Sequence, residues 1–404
     1  MNHYRAVLIG HNYTSILGLA RVLGPAGYDV FVIRTGISMS KNLFRNLGNM
    51  PESKSKYVVR YVAVNGDQTE NQIIDILLNQ FAQKNNKGIL FPVDDVCSEI
   101  LDRNYDRLSL FYHLPNVNDR QGGVLELMDK FYQKKLAKEA GLSVPDGWSV
   151  KIENGEFAIP EEVTYPCFIK AEMPMEKRKH FMCRCDNKQQ LMDALNKAAA
   201  YRDCIMLIDE YVDIEKEYGA VGMCYKNNVC IPGIIEKRVS GHGSQAGVNV
   251  IGKYCLSKKH ESLIRQLKSM MLLSGFQGLF DIDLFESKGT IYFCELNVRI
   301  GGSGPAAFLA GVDLPKMLAD SFINPNKLID FEADAKEFLF INERPLLSEY
   351  REGFITLREF SGYIKRIKHR FIYDPRDILP CCCFSITVIM EILRKIKRKL
   401  KPVH

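Results

Sequence analysis

Apolar positions in this chain fall into short runs and strict alternations that read as strands, separated by stretches with the i, i+3, i+4 spacing of helices. Residues 6–10, AVLIG, form a short apolar strand, followed by a polar turn over 11–15, a helical pattern over 17–23 and a second strand in YDVFVI. That order is the β-α-β opening of a parallel sheet, with its first connecting loop at a strand's carboxyl end. A helical run over 71–84 then precedes the strand GILFP and the acids Asp94 and Asp95.

Further on, Asp129 and Lys130 open a helix, DKFYQKKLAKEAG, which stops at Gly141 and is turned by Pro145. The strand TYPCFIKAE carries Lys170 directly after buried positions, an uncommon place for a lysine unless it reaches a polar pocket or snorkels to water. A helix over 188–201 leads into CIMLIDEYVDIEKEYGAVGMC, which reads as strand, short connection, strand. VCIPGIIEKR is another strand, and the loop after it, VSGHGSQAGVN, is small and polar and suited to cover a site. His242 stands in that loop.

The most informative pattern is a hairpin. FDIDLF puts Phe280, Ile282 and Leu284 on one face and Asp281 and Asp283 on the other; after the turn at Ser287-Lys288-Gly289, TIYFCELNVR alternates again, so Glu295, Asn297 and Arg299 share a face. Turn geometry leaves two registers open, with Asp283 or Asp281 opposite Glu295. Carboxylates beside an amide suit Mg²⁺, which takes a few protein oxygens and completes its shell with substrate phosphates. Arg299 adds a fixed cation matched to phosphate or carboxylate, and Gly301-Gly302-Ser303-Gly304 follow it.

Composition narrows the class without changing this picture. A chain of 404 residues, 46% hydrophobic and 25% charged, is long enough for two or three globular domains. The net charge of +6 is located in the tail, where Arg394, Lys395, Lys397, Arg398, Lys399 and Lys401 stand among residues without an acid. The body is balanced, which argues against a nucleic-acid partner. Twelve cysteines are scattered singly or without zinc-ligand spacing, and read as reduced thiols. The amino-terminal MNHYRAVLIGHNYTS lacks a secretory layout, so a cytoplasmic location is expected. Residues 378–393 are nearly all apolar but short of a bilayer span. Two readings stand for them: an amphipathic contact with the cytoplasmic face of a membrane, or a terminal helix packed on the body.

The order of DK-helix-G-x-x-x-P, a strand ending in lysine, DEYV followed by glutamate, and a hairpin with D…ExNxR resembles the ATP-grasp superfamily of carboxylate-amine ligases over residues 1–325. Within it the chain is similar to single-chain amino-acid ligases such as the D-aspartate ligases. The resemblance implies an amino-terminal Rossmann-like α/β domain over 1–117, a two-subdomain ATP-grasp unit over 118–325 that clasps ATP between antiparallel sheets, and a carboxyl-terminal region over 326–404. It implies that Lys130 and Lys170 contact phosphates, that Asp209, Glu210, Tyr211 and Val212 form the segment holding adenine, and that Glu217 binds the ribose hydroxyls. Lys237 or Arg238 would face the phosphates, Asp283, Glu295 and Asn297 would bind Mg²⁺ or Mn²⁺, and Arg299 would stand near the acyl phosphate. The segment AEMPMEKRKHFMCR departs from the family in lacking a run of glycines and serines over the phosphates. The activity implied is ATP-dependent joining of a small-molecule carboxylate to an amine, in a chain compatible with a homodimer. Two alternatives remain: a bicarbonate-using relative of carbamoyl phosphate synthase or biotin carboxylase, and a nucleotide-binding protein without catalysis.

Overall fold

The computed structural model describes residues 4–37, 48–64, 69–171, 182–201, 203–245, 247–325 and 336–399. Of the segment AEMPMEKRKHFMCR, residues 172–181 lie outside them. The first sheet is built from β1 (Arg5–Gly10), β2 (Asp29–Arg34), β3 (Val58–Ala63), β4 (Gly88–Pro92) and β5 (Tyr112–His113), ordered β3-β2-β1-β4-β5 and parallel throughout. Every residue of β1 and of β4 is buried, as expected of continuous apolar strands covered on both faces. The strand order reverses at β1, so the loops after β1 and β4 part there and leave a crevice at the carboxyl ends of the strands. Asn12 starts the helix Tyr13–Leu23 from one side of that crevice, and Asp94 caps the helix Asp95–Arg103 from the other by accepting from the Cys97 amide at 2.9 Å.

A short strand, β6 (Asn116–Val117), belongs to the third sheet by pairing antiparallel with Phe276 and Gln277, and the second sheet contains β7 (Gly147–Ile152), β8 (Cys167–Ala171), β9 (Cys183–Cys185) and β10 (Cys204–Glu210) in the order β7-β10-β8-β9, all antiparallel. The third sheet holds β11 (Lys216–Tyr225), β12 (Asn228–Cys230), β13 (Gly233–Ser240), β14 (Asn249–Leu256), β15 (Phe276–Ser287), β16 (Thr290–Asn297), β17 (Phe338–Ile341) and β18 (His369–Arg370). Residues 211–215 join the second sheet to the third, and the helix Lys130–Glu139 contributes side chains toward both.

The carboxyl-terminal residues extend the third sheet, because β17 pairs antiparallel with β14 and β18 pairs parallel with β17. The helix Leu379–Lys399 packs on the body through Phe384, Cys381, Val388 and Ile392, against Tyr13, Leu17 and Tyr350. Among the described residues no helix is long and apolar enough to cross a membrane. All twelve cysteines are free.

Candidate active site

The hairpin of β15 and β16 pairs Ser287 with Thr290, and continuing that count would set Asp283 against Cys294 and turn Glu295 to the apolar face. Instead the ladder shifts between Asp283 and Leu284: Leu284 pairs with Phe293, whereas Asp283 pairs with Glu295 and Asp281 with Asn297. The extra residue, Cys294, is a β-bulge that re-aims the strand, so the uninterrupted alternation read for TIYFCELNVR does not hold. The bulge is what places Asp283, Glu295 and Asn297 on one face.

These groups are connected by hydrogen bonds and ion pairs. The Asn297 amide donates to Asp283 Oδ2 at 3.3 Å, and its oxygen accepts from Arg299 at 3.1 Å. Lys237 reaches across from β13 to Asp283 at 3.3 Å and Glu217 at 3.2 Å. Burial acts to lower the Lys237 pKa, but the two carboxylates override it and the net shift is upward. Arg299 likewise stays a secure cation despite burial, because its Nε donates to Asp95 at 2.8 Å. Arg238, the alternative to Lys237, pairs with Glu236 at 2.8 Å and is not among the residues of the cavity wall. The ladder of β13 with β14 shifts register between Lys237 and Val239, and Lys237 is the cation that reaches Asp283 and Glu217.

A second group stands where the helix Lys130–Glu139 meets the two antiparallel sheets. Lys130 pairs with Glu295 at 3.3 Å. One turn later, Gln133 brackets Leu296, accepting from its amide at 2.9 Å and donating to its carbonyl at 2.8 Å. This pins the helix to the strand carrying Glu295. Lys134 forms a buried ion pair with Asp209, whose other oxygen is 2.9 Å from Lys170. Burial lowers the Lys134 pKa and Asp209 only partly offsets it; for Lys170 the pull of Asp209, with Cys294 and Glu295, exceeds the burial effect and the pKa is raised. Asp209 and Glu210 belong to β10, so the connection between sheets begins at Tyr211. There Tyr211 and Val212 are half-buried, and Arg184 stacks over the Tyr211 ring at 4.3 Å.

The hairpin faces the crevice of the parallel sheet across a cavity of about 500 Å³, whose wall includes His11, Asp94, Asp95, Lys237, Asp283 and Glu295. Asp94 Oδ2 accepts from both the His11 amide at 2.7 Å and the His11 Nδ1 at 2.8 Å. Burial alone would raise the Asp94 pKa, yet these bonds and the Cys97 amide bring it down to about 2. Gly10 permits this clamp: its φ is +143° and a Cβ there would stand 2.4 Å from Asp94 Oδ2. The loop after β13 is tied down by Glu349, which accepts from the His242 amide and from its Nδ1, both at 2.7 Å. Sequence reasoning passed over His11, Gln133 and Lys134; the last two share a helix face with Lys130 at i+3 and i+4, which was the available signal.

Asp281 is buried at the cavity wall, and burial together with Asp283 pushes its carboxyl up to about 7. Its place depends on the glycine turn, because a Cβ on Gly301 would lie 1.6 Å from Asp281 Oδ2. Gly301→Ala is therefore expected to cost about 1–3 kcal/mol through overpacking. A urea melt of the variant coinciding with that of the parent would refute this tight fit.

Among the described residues no three His, Cys, Asp or Glu side chains stand together as a closed metal cage. Two carboxylates and an amide nevertheless fit magnesium, which keeps waters and phosphate oxygens in its shell.

No protein-family model matches the sequence. A carbamoyl phosphate synthase large chain from Haemophilus ducreyi is 24% identical over 185 residues, a stretch that is 44% of this chain and only 17% of that protein. Among solved structures, L-amino acid ligase from Bacillus licheniformis superposes with a TM-score of 0.61 at 14% identity, covering 84% of this chain and 80% of that one. N5-carboxyaminoimidazole synthetase from Staphylococcus aureus, complexed with ADP, gives 0.61 at 15% identity, with 90% and 87% covered. Biotin carboxylase from Campylobacter jejuni gives 0.60 at 15% identity, with 83% and 74% covered. At these identities the likeness establishes the fold.

Proposed function

We propose that this chain, which has the ATP-grasp fold, is an ATP-dependent ligase joining a small-molecule carboxylate to an amine. The observation that carries the reading is the convergence of Asp283, Glu295 and Asn297 with Lys130, Lys237 and Arg299 where two antiparallel sheets meet the crevice of a parallel one. Such a cluster is matched to phosphoryl transfer, where charge neutralisation and alignment do most of the work.

In this reading a carboxylate oxygen attacks the γ-phosphorus of ATP, the bond to ADP breaks, and an acyl phosphate forms. The amine nitrogen then attacks the acyl carbon as phosphate leaves. Asp283, Glu295 and Asn297 would hold Mg²⁺ or Mn²⁺, which when bound neutralises phosphate charge. Lys130 and Lys170 meet the phosphates, Glu217 the ribose, and the connection from Tyr211 the adenine. Arg299, fixed by Asp95, holds the reacting carboxylate or acyl phosphate. Asp94 holds His11 at the cavity wall through the His11 amide and Nδ1. The other neighbouring chemistry uses bicarbonate as the carboxylate.

ADP release measured with a panel of carboxylates and amines tests the proposal. Release that requires both partners and yields their amide is expected. Release driven by bicarbonate alone would assign the second chemistry, and no release with any pair would sink ligation.

A further inference from the structure

The helix Leu379–Lys399 has two apolar faces, and the fold uses one. Cys381, Phe384, Val388 and Ile392 recur at helical spacing and pack on the body. Cys382, Ile389, Leu393 and Ile396 recur at the same spacing on the solvent side and are exposed, the last three at 56%, 59% and 49%. Leu379, at the start of the helix, is 56% exposed. The outward stripe from Cys382 to Ile396 runs about four turns, or about 20 Å. Single exposed apolar residues are ordinary, but a continuous row along one helix marks a contact surface.

The charge around the stripe indicates what covers it. From Ile378 to the end, the sequence carries six Lys and Arg against one acid, nearly the whole of the chain's net charge of +6. That acid, Glu391, is 9% exposed and pairs with Arg394, so the outward stripe has no carboxylate within its own helix. Lys395 is turned to the body, where its Nζ donates to the Tyr350 carbonyl and stands 4.2 Å from the Tyr350 ring. Arg394 and Lys397 are exposed, and Lys397 directly follows Ile396.

We infer that the outward face of this helix docks on an anionic lipid surface, with the helix lying in the plane of the interface. The apolar stripe enters the boundary between headgroups and acyl chains, and the cations at its carboxyl end meet the lipid phosphates. Among the described residues no helix is long and apolar enough to cross a membrane, so the contact is peripheral. The other side of the helix gives the contact a consequence. Phe384, Thr387 and Glu391 line a cavity of about 570 Å³ that shares Gln245 and Arg344 with the cavity of the candidate site. A helix is about 10 Å across, so docking holds that second cavity within about 10 Å of the headgroups. None of this rests on the ligase reading.

The test sediments the full-length protein with vesicles of phosphatidylcholine alone, and with vesicles of phosphatidylcholine and phosphatidylglycerol in equal parts. Binding is expected to the anionic vesicles, weakening as salt is raised, with little binding to the neutral ones. The double variant Ile389→Ser, Leu393→Ser should weaken the binding at least about tenfold, because two apolar side chains no longer leave water. A second variant, Lys397→Gln with Arg398→Gln, Lys399→Gln and Lys401→Gln, should weaken it by at least about the same factor. Both should melt near the parent's temperature, since Ile389, Leu393 and Lys397 face solvent. Binding to neither vesicle, equal binding to both, or unchanged binding by the double variant would overturn the inference. Light scattering tests the other occupant: a dimer in the parent that the double variant dissociates would assign the stripe to a second copy of the chain and overturn the lipid contact.

Discussion

Glu295→Gln is expected to lose at least about a hundredfold in Mg²⁺-dependent ADP release while retaining its fold. The change keeps the shape of the side chain and removes its charge. Glu295 faces Asp283 only because Cys294 is bulged out of the ladder, so no neighbouring acid on β16 can take its place. Even residues that merely support metal ligands contribute tenfold to a hundredfold to affinity or activity, and a ligand itself should contribute more. The fold should survive because Glu295 is partly exposed, at 23%, and a glutamine oxygen still accepts from Lys130. A coupled ADP assay across a magnesium titration, run beside a circular dichroism melt, gives both readings. Turnover that equals the parent at every magnesium concentration, low as well as high, would take Glu295 out of the metal site. Full recovery at high magnesium would limit its role to affinity.

How much of this was legible beforehand follows from which signals are local. The parallel sheet, the strand ending in Lys170 and the acid-bearing hairpin are each encoded by a few consecutive residues, and periodicity alone recovers them. The register of the hairpin is not encoded that way. A turn at Ser287-Lys288-Gly289 is readable, but nothing in TIYFCELN announces that Cys294 will be bulged. Similarly, the choice between Lys237 and Arg238 depends on which face of the third sheet turns to the cavity, a tertiary fact. The carboxyl-terminal strands were illegible for the same reason: β17 pairs with β14 across a long sequence gap, and its FLFI is too short to carry a period. Asp209 is the most instructive case. The resemblance places Asp209 in a segment that holds adenine and assigns its carboxylate no partner. In the fold that side chain is the shared counterion of two lysines from separate elements.

That arrangement predicts the largest stability effect in the molecule. Asp209→Asn should cost about 3 kcal/mol or more, because it leaves Lys134 and Lys170, each only 11% exposed, without the charge that compensates them. Both lysines depend on the one carboxylate, each meeting a different oxygen of it. An amide can accept a hydrogen bond from one of them but cannot neutralise either. Urea unfolding of parent and variant measures the loss as a shift of midpoint at unchanged slope. ATP then distinguishes a structural counterion from a stand-in for phosphate. If Lys170 meets nucleotide phosphates, Asp209 competes with ATP for it, and removing Asp209 should make the ATP-dependent gain in stability larger in the variant than in the parent, since that gain grows with affinity. Lys170→Met provides the opposing control: it should lose most of the gain with ATP yet unfold near the parent's midpoint, because Lys134 still holds Asp209. Equal gains with ATP in parent and Asp209→Asn, together with an undiminished gain in Lys170→Met, would separate this buried triad from the nucleotide and leave it a purely structural clamp between the helix at Lys134 and the sheet at Lys170.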